Sequence, residues 1–243
     1  MDYFELKNAF NLSETLIEKI NKFRNERISS ILSESGSPLP LVEGSKTILH
    51  LIPLNSFYTG QKYDIPSVIN YSNFFKFKPL YGGSINPRIN FDGFATYTGL
   101  IEGKTHSYSQ LYRNGIIESV STELLNNDRK EISRGFHEIQ IVKAIEDYLK
   151  IYEEMQVELP ILIFITLIGV KDYTMYVPEG RRASSQDTFP IDRDILTLPE
   201  VIIEKNEENI GNILKSSFDS IWNACGYEGS KNYNTEGEWN PRR

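Results

Sequence analysis

A single cysteine, Cys225, stands in the whole chain. No intrachain disulfide can form, and a secreted chain more often carries an even set, so a reducing cytoplasm is the expected compartment. Long hydrophobic runs are missing as well. The most apolar stretch, residues 159–170, falls short of the roughly 20 residues that a membrane helix needs. The start, Met1-Asp2-Tyr3-Phe4-Glu5, has no basic region ahead of an apolar core, as a secretory leader would. No membrane association is expected. Positive charge is not in excess: 26 Lys and Arg against 33 Asp and Glu give a net charge of −7, which favours solubility and excludes a surface that is basic throughout. Histidine is scarce. His50, His106 and His137 are far apart, and neither His-Glu-x-x-His nor paired-Cys spacing occurs, so no metal and no cofactor is expected. A Gly-x-Ser-x-Gly elbow is also absent, and Cys225 reads as an inert buried thiol.

What is present is ordinary globular composition: 243 residues, 40% apolar and 24% charged, with no linker or internal repeat to divide it. Apolar positions 16, 17, 20, 23, 28 and 31 follow helical spacing, with Leu12 as staple and Ser13 as N-cap, and the helix is expected to end before Gly36-Ser37-Pro38. Residues 47–54 have the β-branched, continuous apolar character of a central strand, with Pro53 near its end. Residues 55–91 are aromatic but irregular, which predicts short turns packed on a sheet. Strands are predicted at 91–101 and 106–113, joined through Glu102-Gly103-Lys104. Asn114-Gly115 then signals a two-residue type I′ hairpin into 116–122. From Gly135, Phe136, Ile139, Val142, Ile145, Leu149 and Tyr152 mark a second amphipathic helix. Pro160 separates it from a buried strand at 161–170, and Asp172 turns the chain into 173–177. An exposed loop follows at 178–187, then an edge strand at 196–203 carrying Pro199, and a last helix at 209–224 stopped by Gly226. The order predicts an α+β fold, a mainly antiparallel sheet with helices on one face, of GAF- or profilin-like type. Residues 1–226 are expected to form one domain and 227–243 a polar tail.

Several segments carry chemistry-bearing side chains. Gly44-Ser45-Lys46-Thr47 looks like the tail of a phosphate loop but precedes a strand, so no helix N-terminus backs it. Arg88, Asn90 and Asp92 alternate on entry to a strand, which would place a guanidinium, an amide and a carboxylate on one side, either to grip a polar ligand or to tie the irregular segment down. Tyr108, Gln110 and Tyr112 form a second alternating row, with Arg113 at its turn. Lys76, Lys78 and Arg88 among aromatics could meet phosphate while bases stack, and Arg181 with Arg182 offers an anion-binding loop. Asp92, Asp192 and Asp194 are the dispersed acids that a metal-dependent hydrolase or nuclease accessory would use.

The segments Lys22-Phe23-Arg24-Asn25-Glu26-Arg27-Ile28, Leu49-His50-Leu51-Ile52-Pro53-Leu54, Arg88-Ile89-Asn90-Phe91-Asp92-Gly93, Gln110-Leu111-Tyr112-Arg113-Asn114-Gly115 and Ile221-Trp222-Asn223-Ala224-Cys225-Gly226-Tyr227 occur in that order. Together they resemble the C-terminal region of bacterial proteins whose N-terminal part is an AlbA-type, Schlafen-like DNA-binding domain, also described as ATP-binding. The resemblance spans nearly this whole chain, while the AlbA-type domain itself is missing and its residues cannot be transferred. Residues 2–11 read as the end of the connection that follows that domain, in a free-standing relative, a split gene product or an excised piece. The resemblance, with no catalytic constellation, implies a non-enzymatic sensor, regulatory or interaction domain acting through a protein partner or small ligand. Direct nucleic-acid binding and the acidic hydrolase are the alternatives. Arg88, Asn90, Asp92, Arg113, Trp222 and Asn223 are the expected ligand-binding residues; Trp222 and Asn223 also suit a purely structural role on the last helix.

Overall fold

A computed structural model of the chain describes residues 3–58, 60–176, 189–205 and 209–241. In chain order, helix α1 (Tyr3–Leu32) leads to β1 (Lys46–Pro53), and a 3-10 turn at Leu54–Phe57, helix α2 (Ile65–Val68) and a second 3-10 turn at Phe74–Lys76 follow. Strands β2 (Ile85–Ile89), β3 (Gly93–Thr98), β4 (Leu100–Ile101), β5 (Lys104–Thr105), β6 (Ser107–Tyr112), β7 (Ile117–Ser121) and β8 (Glu131–Ser133) precede α3 (Phe136–Glu154). Then come β9 (Ile161–Ile168), β10 (Thr174–Tyr176), β11 (Ile195–Thr197), β12 (Val201–Ile203), α4 (Ile210–Ile213) and α5 (Lys215–Ala224). Eight strands make one antiparallel sheet in the order β11/β12, β9, β1, β7, β6, β3, β2. The fold is α+β. No helix among the described residues is long and apolar enough to cross a membrane.

Helices cover both faces of the sheet, not one. Leu49 and Leu51 of β1 and Ile161, Ile163, Ile165 and Leu167 of β9 pack with α3 and α5 residues such as Ile145, Tyr148, Phe218 and Trp222. The alternate residues Ile48, Ile52, Leu162, Phe164 and Ile168 pack beneath α1 against Ile20, Phe23, Ile28 and Ile31. The physical reason lies in the runs themselves: β1 and β9 are buried at every position and mostly apolar on both faces, and such strands need a dry layer on each side. The aromatic segment between β1 and β2 is pinned to the α3 side, where Tyr148 Oη and Thr96 Oγ1 donate to the carbonyls of Lys78 and Phe77 at 2.8 and 2.6 Å.

Four local expectations change. α1 starts at Tyr3, so Ser13 is inside the helix and not at its cap; no Gly or Pro occurs before Gly36 to interrupt it. The β6–β7 turn is a three-residue loop, not type I′: Gly115 N–H donates to Tyr112 O at 2.9 Å and Tyr112 N–H to Ile116 O at 2.8 Å. Only Gly115 has positive φ there (91°), which is a type I turn closed by a left-handed glycine. Pro199 divides the predicted edge strand into β11 and β12, which pair with the two ends of β9.

The fourth concerns the C-terminal segment, which folds back as a clamp instead of trailing as a polar tail. Tyr227 N–H donates to Trp222 O and Gly226 N–H to Asn223 O, at 3.0 and 2.9 Å, and the Tyr227 and Trp222 rings meet edge-on at 5.3 Å. This is a helix-ending motif with its apolar contact in place. Beyond it Trp239 lies over Gly211, where an added Cβ would come within 2.1 Å of the indole. The buried Glu138 carboxylate accepts from Trp222 Nε1 (2.6 Å), Ser230 Oγ (2.8 Å) and Asn232 Nδ2 (2.5 Å). Three indole and phenol groups at 227, 233 and 239 make the segment apolar enough to return to the core.

Candidate functional site

At the end of the sheet where β3 begins and β6 ends, three loops meet on Arg113. The β3–β6 register places Gly93 opposite Tyr112, which brings the β2–β3 turn beside the β6–β7 turn. Arg113 N–H donates to Asp92 O at 2.9 Å, its Nε to Phe91 O at 3.1 Å, and its own carbonyl accepts from Tyr63 N–H at 2.8 Å. Asn114 Nδ2 donates to Ser56 O at 3.3 Å. Asn90 closes the β2–β3 turn: its Oδ1 accepts from Gly93 N–H at 2.8 Å while its Nδ2 donates to Gln110 Oε1 at 2.6 Å. Gly93 is obligatory in this turn, since its φ is 153° and an added Cβ would lie 2.1 Å from Leu111 O.

The backbone of this platform is therefore tied down on every side, yet the Phe91 side chain at its tip is 94% exposed. Phe91 borders an open depression of about 500 Å³ with Gln61, Lys62, Asp92, Tyr112 and Arg113. Lys62 and Arg113 are exposed and form no ion pair among the described residues. The depression thus combines two cations and one acid with an apolar ring.

Its Tyr112 wall reaches the most heavily bonded side chain among the described residues. Glu118, fully buried near the start of β7, accepts from Arg27 Nε and Nη2 at 2.8 Å each, His50 Nε2 at 3.0 Å, Tyr108 Oη at 2.9 Å and Tyr112 Oη at 3.4 Å. Burial alone would raise this carboxyl, but the hydrogen bonds and charges from Arg27 and His50 outweigh it and hold the group at about 2. Burial, followed by the Glu118 charge, pushes the Tyr112 and Tyr108 phenols up. This network fastens α1 to the sheet and supports the platform from beneath. Of its groups only Tyr112 reaches the depression, and the Glu118 oxygens are taken by donors from α1, β1 and β6, so the carboxylate serves as structure.

The sequence-predicted residues divide clearly. Asn90, Asp92 and Arg113 come together on the platform, as do the two segments that contain them. Arg88 does not: it pairs with Ala95 on the α1 side, and its Nη1 donates to Pro38 O. β2 ends at Ile89 and the chain turns, so the alternation expected through 88, 90 and 92 stops at 89. Trp222 is fully buried on Glu138, and Asn223 Nδ2 holds the carbonyls of Tyr227 and Glu228 at 2.8 and 3.1 Å. Both hold the C-terminal clamp, and neither reaches the platform.

Lys76 bridges Glu154 at 3.0 Å, and with Lys78 it borders a depression where Lys150 pairs with Asp147 at 2.9 Å. That patch alternates in charge and lies on the α3 side, opposite Arg88. Arg181 and Arg182 lie outside the described residues. The three acids are likewise apart: Asp192 is clasped by its neighbour Arg193 at 2.7 Å, Asp194 O accepts from Val170 N–H beyond one end of β9, and Asp92 is at the opposite end of the sheet. Among the described residues no group of three or more His, Cys, Asp or Glu side chains is arranged to hold a metal ion. A larger open depression of about 820 Å³ at the end of the sheet away from Asp92, where β6 begins and β7 ends, includes His106 and Glu123. Its histidine Nδ1 is turned to Thr122 Oγ1 at 3.4 Å and Glu123 at 3.6 Å, and the Thr122 hydroxyl itself donates to His106 O at 3.1 Å.

Phe91 and Glu118 are the residues that sequence reasoning passed over. Glu118 had a signal, since it shares strand parity with Val120, and Arg24 and Arg27 fall at helical spacing between Ile20 and Ile31. Charge on an apolar face of both partners marks a buried pair. Comparisons with protein-family models, with curated proteins and with solved structures give no match to this chain.

Proposed function

We propose that this chain is a non-enzymatic interaction domain, a sensor or regulatory module that docks a protein partner on the Arg113 platform. One observation carries the reading: a phenylalanine 94% exposed on a turn whose backbone is fixed by hydrogen bonds from Arg113, Asn90 and Gly93. Aromatic anchors on rigid supports lose little entropy on docking, which is the property of binding hot spots. The buried acids support the same reading, because Glu118 and Glu138 have their oxygens occupied by structural donors. The resemblance to chains that carry an AlbA-type domain favours a partner directed at nucleic acid, in a reducing cytoplasm. Cys225 suits that setting, being buried, with burial pushing its thiol up to about 12.

The test is site-specific photo-crosslinking in the native cells, with a benzophenone amino acid at position 91 and, separately, at Ile202, which is 45% exposed on β12. A discrete protein adduct from position 91 and none from 202 is the expected result. Equal labelling from both, or none from 91, overturns the proposal.

A further inference from the structure

The platform's chemistry also specifies what it takes. Resting on the docking reading above, we infer that the partner presents an acidic segment, one carboxylate beside an apolar side chain, with the carboxylate on Arg113 and Lys62 and the apolar group against Phe91. The Nε of Arg113 is already committed to Phe91 O, which fixes the guanidinium plane and leaves its two terminal nitrogens as a preset fork for a carboxylate. Lys62 borders the same depression and is exposed. Neither cation forms an ion pair with a described acid. In a chain of net charge −7, two cations without an ion-pair partner beside an exposed ring give this depression a local positive balance, and its complement is an anion joined to an apolar surface.

Asp92 sets the limit of this complementarity. It shares the depression, so a second carboxylate there would meet like charge, and the segment is one with a single acid at the contact and not an acidic run. A nucleic acid strand would also bring anions and flat rings. It is disfavoured because its phosphates repeat, whereas the described cations form no continuous stripe from the platform: Arg88 is turned to Pro38, and the Lys76 patch is interleaved with Asp147 and Glu154. A single carboxylate on a protein segment matches two cations and one acid better than a polyanion does.

The experiment is panning of a phage-displayed random dodecapeptide library on the whole chain, followed by affinity measurement of the enriched peptides as synthetic probes. The expected consensus pairs one Asp or Glu with a large apolar residue. Phe91→Ser should weaken binding about thirtyfold and Lys62→Glu about tenfold. Asp92→Asn should tighten it about twofold. The exposed Lys62 side chain forms no ion pair among the described residues, so its variant tests charge without breaking the turn, and melting curves confirm that each variant is folded.

A consensus without acid whose binding is lost in Phe91→Ser but not in Lys62→Glu overturns the acidic-segment inference and leaves the docking reading standing. Binding indifferent to Phe91→Ser, or no enrichment at all, overturns both. Displacement of the peptides by a single-stranded oligonucleotide that itself depends on Lys62 and Phe91 would assign the site to nucleic acid instead.

Discussion

Replacing Glu118 by Gln keeps the size of a fully buried side chain and removes its charge. A carboxyl held at about 2 instead of 4.5 binds its proton less tightly in the folded chain than in the unfolded one. At about 1.4 kcal/mol per pH unit this is worth about 3 kcal/mol. The sign follows from the depressed value: the contribution is fully present above pH 4.5 and is lost as the pH falls towards 2. Removing one partner of a buried pair costs about 3–5 kcal/mol by a separate route, so the two figures agree. For a chain of this length the melting temperature should fall by about 6–12 °C at pH 7.

The assay is a set of circular-dichroism melts of both proteins between pH 7 and pH 2, read as the difference between them. That difference should be constant down to about pH 4.5 and shrink below it. Curves that stay parallel to pH 2, or a loss under about 1 kcal/mol, would show that the Arg27, His50 and Tyr108 contacts do not stabilise the ionised acid. Arg27→Met alone should cost more than Arg27→Met combined with Glu118→Leu, because the single change leaves a buried charge short of its main partner.

Gly93→Ala should cost about 2–4 kcal/mol in urea unfolding and abolish peptide binding, since the new Cβ would sit against Leu111 O and open the turn that carries Phe91; binding that survives would separate the turn from the docking surface. Tyr148→Phe removes a hydroxyl that contacts Ser109 Oγ (2.7 Å), Ser119 Oγ (3.1 Å) and Lys78 O (2.8 Å), at an expected cost of about 1–3 kcal/mol. Burial raises this phenol to about 12, against partial lowering by the two serines. Its contribution is therefore whole below pH 10 and disappears as the pH rises through 12, so melts of the Phe variant should lack that part of the alkaline decline.

Strand and helix identities were readable wherever the signal was local. β1 and β9 are marked by β-branched, nearly continuous apolar runs, α3 by its three-and-four spacing, and the β3, β6, β7 meander by alternation around Asn114-Gly115. The site was readable in pieces. Asn90, Asp92 and Arg113 stood out as polar groups at strand ends, but in two separate segments. Their contact depends on the register that sets Gly93 against Tyr112, and no spacing along one segment encodes a register with another. Phe91 looked like any strand aromatic, because exposure depends on what the remaining chain fails to cover.

By itself, then, the amino-acid order determined the periodic elements, the single cysteine and the lack of any local metal or nucleophile motif, since each rests on composition or on neighbours within a turn or two. Tertiary structure alone decided that helices occupy both sheet faces, that the segment after Gly226 returns as a clamp, and that Arg27 meets Glu118 across 91 positions. Those outcomes are settled by burial and pairing between distant segments, where the free energy depends on which surfaces meet and not on which residues adjoin in sequence.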